Sequence, residues 1–555
     1  MQIQRYSLRL ILVFSFLFLS LLFFSLKLVF LQVFQGVHLA NLAQKQHNSL
    51  VEIDPVRGGI YDCKMRPLAF NVPVYSVFAN PRQMDKEDKQ IAAEKLSKVL
   101  NVDKDLIKRR LKRRKYFVWI KRKLSVEEVQ QVKDLDLKGI SFKKESKRFY
   151  PNKNLGAHLI GFSGTDNVGL EGLELLYDNQ LKGESGWLKV LKDAKQRQLF
   201  VKDEFKSAKH GGNLVLTLDE TVQYIAETAL DATYKKSKAI SGSIIVMNIS
   251  TGEILALANR PTYNLGAFQK SSLKMRTNRA VVHAYEPGSV FKIVALIAAL
   301  EESLFQEEDI IFCENGEYRI ANHILHDHHG HGNLTFQQVF EFSSNIGVAK
   351  IAQKLGPSLY YKYARRFRFG MKTGIDLMGE IEGVLKSPNR WSKTSIGAIP
   401  MGHEVLVTPL QLICALSAIA NDGVYMRPFV VKSIQDSKGH ELKTFDPVVV
   451  DRIMSPETAR RAIKILTGVV DSGTGKRAQI EGIKVAGKTG TAQKVVDGKY
   501  SHSKFYSTFM GFAPADNPKI AVIVMFDEPK GQYFGGTVAA PVFQKVVSDS
   551  LKYLD

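Results

Sequence analysis

The sequence predicts a multidomain protein with one N-terminal transmembrane helix, an α+β pedestal domain and a C-terminal α/β domain, whose antiparallel sheet is flanked by helices. Three observations lead to this architecture. The 555 residues are enough for two sizeable hydrophobic cores. Residues 10–34 form one nearly continuous apolar run. Beyond residue 213, strand patterns are followed by helical patterns and then by strands again, which favours helices packed on an antiparallel sheet.

Residues 10–34 are predicted to be an uncleaved membrane anchor. At about 1.5 Å per residue this run can cross a hydrocarbon layer of about 30 Å. Arg5 and Arg9 precede it, which predicts that residues 1–9 are a cytoplasmic tail and that the rest of the chain is exported. The alternative is a cleaved signal peptide, but the run exceeds the usual length of about 7–15 residues and no small-x-small site follows. We therefore expect a single-pass membrane protein.

The exported part divides into two predicted domains. Residues 51–206 mix short strand-like runs with charged helices such as Lys86–Leu100, which is typical of an α+β domain. The polar stretch 206–213 contains Gly211 and Gly212 and marks the boundary. Residues 213–555 then form the C-terminal domain.

Five strands and three helices are predicted in the C-terminal domain. The strands are expected at 244–247, 254–257, 483–486, 507–512 and 520–526, the first two forming a hairpin. The helices are expected at 221–239, 291–304 and 335–355.

Ser289 and Lys292 are the first candidate catalytic pair. Pro287 and Gly288 punctuate the chain just before an apolar helical run, so Ser289 is expected at a helix start. Residues three apart share a helix face, which puts the lysine amine within reach of the hydroxyl. A serine is a poor nucleophile until a base removes its proton, and a lysine kept neutral by burial can be that base. Alone, this spacing is a weak signal.

Two later elements strengthen the interpretation. Ser343 offers a hydroxyl that can relay a proton between Lys292 and a leaving amine. Asn345 supplies an amide that both donates and accepts hydrogen bonds, which suits Lys292 and a substrate peptide group.

The run from Lys488 to Thr491 completes the candidate site. Lys488 adds positive charge that holds Lys292 neutral and attracts a carboxylate, which Thr489 and Thr491 can bind. Gly490 allows an acyl chain to approach the backbone closely. The backbone N–H groups of Ser289 and Thr491 are the expected oxyanion hole. Serine–x–x–lysine, serine–x–asparagine and lysine–threonine–glycine in this order are typical of β-lactamases and penicillin-binding proteins.

The chain resembles a class B penicillin-binding protein from about residue 51 to its end. Beyond the three motifs, the resemblance rests on Arg57–Asp62, Arg148–Pro151, Gly169–Glu174, Thr217–Asp219, Thr251–Ala256 and Thr408–Gln411. The segments 68–73 and 79–81 resemble the division branch most. Cys63 and Met65 depart from the pattern, since arginine and glycine are expected there, and this puts the turn geometry after Asp62 in doubt. The resemblance implies a five-stranded, serine β-lactamase-like transpeptidase domain.

The same resemblance implies a function. Ser289 would attack the D-Ala–D-Ala end of a peptidoglycan stem peptide and pass the acyl group to a neighbouring amine, cross-linking the septal wall during division at the bacterial inner membrane. β-Lactams would inhibit it covalently. No region shows glycosyltransferase-like motifs, so a polytopic glycosyltransferase and other division proteins are the expected partners. The alternatives are an elongation-type transpeptidase, a D,D-carboxypeptidase or β-lactamase, and a non-enzymatic scaffold or β-lactam sensor.

The net charge of +22 does not predict a nucleic-acid partner. Eleven of the twenty residues 104–123 are basic and one is acidic, a density that nucleic-acid binders also show. An exported segment meets no chromosome, so a solvated surface or an anionic contact is the better interpretation.

Neither a metal nor a cofactor is expected. His323, His326, Asp327, His328, His329 and His331 crowd into nine residues, and such tracts can bind metals. Their spacing matches no standard site, and we expect a surface loop over the cleft. The three cysteines are too few for a disulfide framework, and Cys414 lies in an apolar run typical of a core residue.

Overall fold

The computed structural model describes the backbone of residues 2–40, 48–192 and 198–554. The chain forms two compact units. The first runs to Val56 and includes Gly183–His210, and the second comprises Arg57–Lys182 and the chain from Gly211 onwards. All residues of the candidate site belong to the second unit.

An apolar helix opens the first unit. It spans Gln2–Val29 and continues as a π-helix over Phe30–Phe34. The 28 residues Ser7–Phe34 are long and apolar enough to cross a membrane, and none of the most apolar stretch is buried against protein. The predicted anchor is therefore a helix, and the predicted tail is already helical from Gln2. Three antiparallel strands complete this unit, in the order Asn48–Ile53, Gly186–Lys192 and Gln198–Lys206.

Residues 57–182 of the second unit form an α+β layer. The long strand Pro67–Ala79 pairs with Ile140–Phe149 along its length and with Val118–Lys121 at its end. One face of this sheet is covered by the helices Lys86–Leu100, Lys104–Leu111 and Val126–Asp134. The predicted helix Lys86–Leu100 is confirmed. Asp85 caps its start, because its carboxylate accepts a hydrogen bond from the Asp88 N–H group. The Asp88 carboxylate in turn accepts one from the Asp85 N–H group.

The turn after Asp62 is closed by hydrogen bonds, although Cys63 and Met65 depart from the family pattern. Met65, where glycine is expected, has φ = 62°, a left-handed conformation that favours glycine. The Asp62 carboxylate closes the turn by accepting hydrogen bonds from the N–H groups of Lys64 (2.9 Å) and Arg66 (2.7 Å). These bonds hold Met65 in a conformation that its side chain disfavours.

A five-stranded antiparallel sheet lies at the centre of the C-terminal part. In chain order its strands are β1 (Ser241–Asn248), β2 (Ile254–Arg260), β3 (Ala486–Val496), β4 (Lys499–Ala513) and β5 (Ile520–Asp527). The spatial order is β2-β1-β5-β4-β3, so β3 is an edge strand. The predicted sheet and its β1–β2 hairpin are confirmed. The third strand starts at Ala486, three residues later than predicted.

Helices cover both faces of this sheet. They are α1 (Glu220–Ser237), α2 (Ile293–Glu301), α3 (Phe336–Glu341), α4 (Asn345–Leu355), α5 (Pro357–Arg366), α6 (Pro409–Ala420), α7 (Pro456–Asp471) and α8 (Ala540–Leu554). Along β5, Val522 and Val524 join the core under α1 and α8, whereas Ile523 and Met525 join the core with α2 and α6. Both faces of β5 are buried, which explains its continuous apolar run. Cys414 is a buried core residue of α6, as predicted.

The single helix predicted over residues 335–355 is wrong. The structure has two helices, α3 and α4, separated by Ser343, whose φ is +59°. Ser344 caps α4, since its hydroxyl accepts a hydrogen bond from the Gly347 N–H group (2.9 Å). The helix predicted over 291–304 is also shorter, because α2 ends at Glu301.

Shorter elements fill the connections. Short helices lie at Ala157–Ile160, Gly172–Leu176, Asp178–Leu181, Leu273–Arg276, Arg279–Val282, Ser395–Ala398 and Gly535–Val538. Two-stranded ribbons pair Ile310–Phe312 with Asn333–Thr335, Glu317–Ile320 with His323–His326, Val384–Leu385 with Val405–Leu406, and Val424–Met426 with Val449–Arg452. The strands Ile60–Tyr61, Asn213–Leu216, Val431–Gln435 and Glu441–Thr444 join the sheet of Pro67–Ala79.

Candidate active site

Ser289 lies in a 3₁₀ turn, Gly288–Lys292, that leads directly into α2. Side chains three residues apart eclipse in a 3₁₀ turn, so Ser289 and Lys292 project from the same side. The sequence predicted a helix start at this point, and the structure has this tighter turn in front of it. Ser289 is half-buried and lines a cavity of about 370 Å³.

The serine turn packs tightly against the edge strand β3. Gly288 has φ = 60°, and a Cβ atom added there would lie 2.9 Å from the Thr491 carbonyl oxygen. A Cβ atom added at Gly490 would lie 2.9 Å from the Pro287 carbonyl oxygen and from a methyl group of Val290. Both glycines are therefore required for this approach.

Lys292 is fully buried and donates to three acceptors. Its Nζ lies 2.6 Å from the Ser343 carbonyl oxygen, 2.8 Å from Asn345 Oδ1 and 3.2 Å from Ser343 Oγ. These bonds run to the α3–α4 connection and not to Ser289. Burial lowers the pKa of Lys292 to about 7, and the nearby Asp327 carboxylate opposes part of that shift. A substantial fraction of this amine is neutral at neutral pH.

Lys488 enters the same network from β3. Its side chain is buried, and its Nζ lies 2.9 Å from Ser343 Oγ and 3.3 Å from the Thr489 carbonyl oxygen. Burial, reinforced by the charge of Lys292, lowers the pKa of Lys488 well below its ordinary value. The Ser343 hydroxyl therefore connects two amines that both resist protonation.

Thr489 and Thr491 line the cavity beside Ser289 and Ser343. They are two residues apart on β3, so their side chains lie on the same face of the strand. Thr489 Oγ1 lies 2.7 Å from Thr474 Oγ1, and Thr491 Oγ1 accepts a hydrogen bond from the Gly535 N–H group at 3.0 Å. These contacts hold two hydroxyl groups at the cavity wall.

All eight predicted site residues meet in one place. Residues 242–548, more than half of the chain, match the family described as the penicillin binding protein transpeptidase domain. The chain belongs to the penicillin-binding protein family. Residues 52–216 match the penicillin-binding protein dimerisation domain.

Relatives of this penicillin-binding protein cover nearly its whole length. Stage V sporulation protein D of Bacillus subtilis is 36% identical over 100% of this chain and 87% of its own. The probable peptidoglycan D,D-transpeptidase PenA of Neisseria meningitidis is 34% identical over 90% and 84%. The peptidoglycan D,D-transpeptidase FtsI of Escherichia coli is 31% identical over 97% and 90%.

Solved structures share the fold of this penicillin-binding protein. A peptidoglycan synthetase from Bifidobacterium adolescentis superposes with a TM-score of 0.74 at 26% identity, covering 91% of this chain and 97% of its own. Penicillin binding protein 3 of the tubercle mycobacterium, complexed with aztreonam, gives a TM-score of 0.72 at 28% identity with the same coverage.

Asp327 is the site residue that sequence reasoning missed in this penicillin-binding protein. Its carboxylate accepts hydrogen bonds from Ser344 Oγ (2.6 Å), from the Ile346 N–H group (3.1 Å) and from the Asn345 N–H group. It therefore holds the start of α4, where Asn345 contacts Lys292. From the sequence, Asp327 was noted only as a member of the histidine tract. No residue pattern around it indicates this contact.

The histidine tract is part hairpin and part cleft wall. His323–His326 is a strand paired with Glu317–Ile320, where a loop was expected. His328, His329 and His331 line the cavity that contains Ser289, so the expected position over the cleft is confirmed for them.

Within the part of the chain that the structure describes, the group with metal-ligand geometry is Asp62, Cys63 and Asp219. Arg66 already lies 2.6 Å from the Asp62 carboxylate and 2.8 Å from that of Asp219. Burial and the Asp219 carboxylate raise the pKa of the Cys63 thiol to about 12. A guanidinium thus balances both carboxylates, and the thiol stays protonated, which disfavours a metal there.

Proposed function

We propose that this penicillin-binding protein is a peptidoglycan D,D-transpeptidase that acts through an acyl-enzyme on Ser289. One observation carries the proposal: Lys292, in the same turn as Ser289, is a fully buried amine whose pKa falls to about 7. Such an amine can accept the proton of a serine hydroxyl at neutral pH. The names of PenA and FtsI, peptidoglycan D,D-transpeptidases that match over 90% or more of this chain, support the same reaction.

In the proposed acylation, Lys292 takes the Ser289 proton as Oγ attacks the carbonyl of the penultimate D-alanine. The backbone N–H groups of Ser289 and Thr491 hold the oxyanion. The proton passes from Lys292 to the Ser343 hydroxyl, along their contact of 3.2 Å, and the hydroxyl gives its own proton to the leaving nitrogen. Lys488, 2.9 Å from the same oxygen, holds the hydroxyl in place. D-Alanine then departs and the acyl group remains on Ser289.

The remaining residues bind the substrate in this proposal. Lys488 supplies positive charge near the terminal carboxylate, and the hydroxyl groups of Thr489 and Thr491 hydrogen-bond to it. Asn345 positions Lys292 through its Oδ1 atom (2.8 Å) and lies next to the substrate amide. Gly490 was expected to leave room for the acyl chain, but its side-chain position faces the serine turn, 2.9 Å from the Pro287 carbonyl oxygen, so it allows that turn to approach the edge strand.

We further propose a septal role at the bacterial inner membrane. The segments 68–73 and 79–81, which resemble the division branch, support the septal assignment. In this arrangement residues 1–9 are cytoplasmic, 10–34 span the membrane, 51–206 form the pedestal and 213–555 the transpeptidase domain. A polytopic glycosyltransferase would supply the glycan strands, and other division proteins would recruit the enzyme.

Covalent labelling tests the proposal. Wild-type protein is expected to form a stable adduct with a fluorescent penicillin, and Ser289→Ala is expected to abolish it, because the Ser289 hydroxyl is the proposed nucleophile. Ser437→Ala, at an exposed position of another turn, serves as the matched control and keeps full labelling. Mass spectrometry of the tryptic adduct should place the label on Ser289. Labelling that persists in Ser289→Ala contradicts the proposal.

A further inference from the structure

The cleft has a histidine wall that the proposed chemistry has not used. His328 lines the same cavity as Ser289, Ser343 and Thr491. It directly follows Asp327, whose carboxylate is bonded to the N–H groups at the start of α4. This anchor fixes the backbone of His328 beside the segment that holds Lys292.

The His328 ring contacts another residue of the same cavity wall, Phe534. It meets the Phe534 ring edge to face, with 5.6 Å between centroids and 78° between planes. His331, by contrast, is stacked on Phe342 at 5.6 Å and 16°. The phenylalanine contact orients the His328 imidazole within the wall of the cavity that contains Ser289.

The second half-reaction needs a base that Lys292 cannot supply alone. An acceptor amine arrives as an ammonium ion, and it must lose one proton before its nitrogen can attack the acyl group. Two basic side chains, Lys476 and Arg477, also line this cavity. A neutral imidazole in the cavity wall is a suitable proton acceptor in such a place.

The surroundings of His328 keep it neutral. Partial desolvation of the ring lowers the pKa of His328 below the ordinary 6.5, although the residue as a whole is exposed, and the charges of Lys292 and His329 act in the same direction, whereas Asp327 opposes them. The Asp327 carboxylate is already engaged by α4 and leaves the imidazole available.

We propose that His328 is the proton acceptor for the acceptor amine, on the histidine-lined side of the cleft. The inference rests on the proposed transpeptidase function. His328 takes one proton from the ammonium ion and later releases it to solvent. The amine nitrogen then bonds to the acyl carbon as the carbon–Ser289 Oγ bond breaks. Lys292 receives the second proton from that nitrogen and returns it to Ser289 Oγ, so the enzyme is regenerated.

The partition of the acyl-enzyme tests this role. The full chain in detergent micelles is given a thioester of N-acylated D-alanine as donor and free D-alanine as acceptor. Chromatography measures the ratio of peptide product to hydrolysed acid from pH 6.5 to 9. Both products come from the same acyl-enzyme, so the ratio does not depend on how much of it forms. His328→Gln is expected to lower this ratio by about 100-fold at pH 7. His323→Gln, an exposed position on the nearby strand, is the matched control with an unchanged ratio.

The pH profile separates a base from a merely structural residue. With His328 present, the ratio should stay nearly constant between pH 7 and 9. In His328→Gln it should rise about tenfold per pH unit, because only the free amine then reacts. A His328→Gln ratio and profile equal to wild type would overturn the inference while leaving the acyl-enzyme intact. Absence of any acyl-enzyme in wild-type protein would overturn the proposed function, and this inference with it.

Discussion

Lys292 and Lys488 are buried next to each other and share one hydrogen-bond acceptor, the Ser343 hydroxyl, at 3.2 and 2.9 Å. Two ammonium ions that contact the same oxygen atom in a desolvated site repel each other, so the pair carries fewer than two positive charges near neutral pH. The shared hydroxyl offers a path by which the remaining proton moves. This arrangement supports both the activation of Ser289 and the protonation of its leaving group.

Replacing Lys292 by arginine tests the neutral base. A guanidinium stays charged at all relevant pH values and cannot accept the Ser289 proton. Lys292→Arg is expected to slow acylation by fluorescent penicillin at least about 100-fold. Lys236→Arg, an exposed residue near the end of α1, is the control and should acylate at the wild-type rate. Substantial acylation of Lys292→Arg would reject the role of a neutral lysine.

The acylation rate should depend on pH through Lys292. Its pKa is lowered to about 7, so the amine is mainly neutral above pH 7 and mainly charged below it. We expect a plateau above pH 7 and a fall of about tenfold per unit below it. Pseudo-first-order rates measured from pH 5.5 to 8.5 check this. A rate that rises as the pH falls would show that the charged form is active.

Asp327 should tune that profile by its charge. The carboxylate raises the pKa of Lys292, so its neutralisation in Asp327→Asn should move the acylation profile to lower pH. Asparagine keeps an oxygen that can accept the hydrogen bonds from the start of α4, and we expect little loss of stability. Asp327→Ala removes this acceptor as well and should cost about 1 kcal/mol.

Asp103, the N-cap residue of another helix, provides the control for Asp327. Asp103 caps Lys104–Leu111 by accepting hydrogen bonds from the N–H groups of Asp105 and Leu106. Asp103→Ala should therefore lower stability by a similar amount in urea unfolding and leave the acylation profile unchanged. An unshifted profile in Asp327→Asn would count against the electrostatic role.

Gly288 allows the effect of backbone strain to be separated from that of close packing. Gly288 and Gly482 both have positive φ values, 60° and 75°. An added Cβ atom meets the Thr491 carbonyl oxygen at 2.9 Å in Gly288→Ala but nothing within 4 Å in Gly482→Ala. Both variants should lose about 1 kcal/mol of stability, and only Gly288→Ala should lose acylation. Equal acylation rates would show that β3 tolerates the displacement.

Met65→Gly should make the protein more stable. Met65 has φ = 62°, and its side chain is 49% exposed, so its removal relieves strain with little loss of packing. The expected gain is at most about 1 kcal/mol. Met65→Ala keeps the strained φ and should give no gain. A urea midpoint for Met65→Gly below that of Met65→Ala would contradict this account.

Local chemistry explains why the sequence alone could indicate candidate catalytic residues. Ser289 and Lys488 lie in short motifs whose residue types each have one chemical task. The strands β1 and β5 were predictable because both are apolar runs of strand length bounded by turn residues.

Tertiary contacts explain what could not be predicted. The break at Ser343 contains neither glycine nor proline. It depends on the Asp327 carboxylate, which contacts Ser344 in the fold but precedes it by 17 residues in the sequence and belongs to no pattern that indicates the contact. The left-handed Met65 is likewise held by bonds to the Asp62 carboxylate and not by its own preference. In both cases a distant or neighbouring acceptor overrides local propensity.

The close contact between the serine turn and β3 limits which substitutions the site can tolerate during evolution. With carbonyl oxygens only 2.9 Å from any side chain added at Gly288 or Gly490, most substitutions along this contact would disable the enzyme before they could exclude an antibiotic. We therefore expect substitutions that confer resistance to lie around the edge of the cleft, where they leave the contact between the serine turn and β3 unchanged.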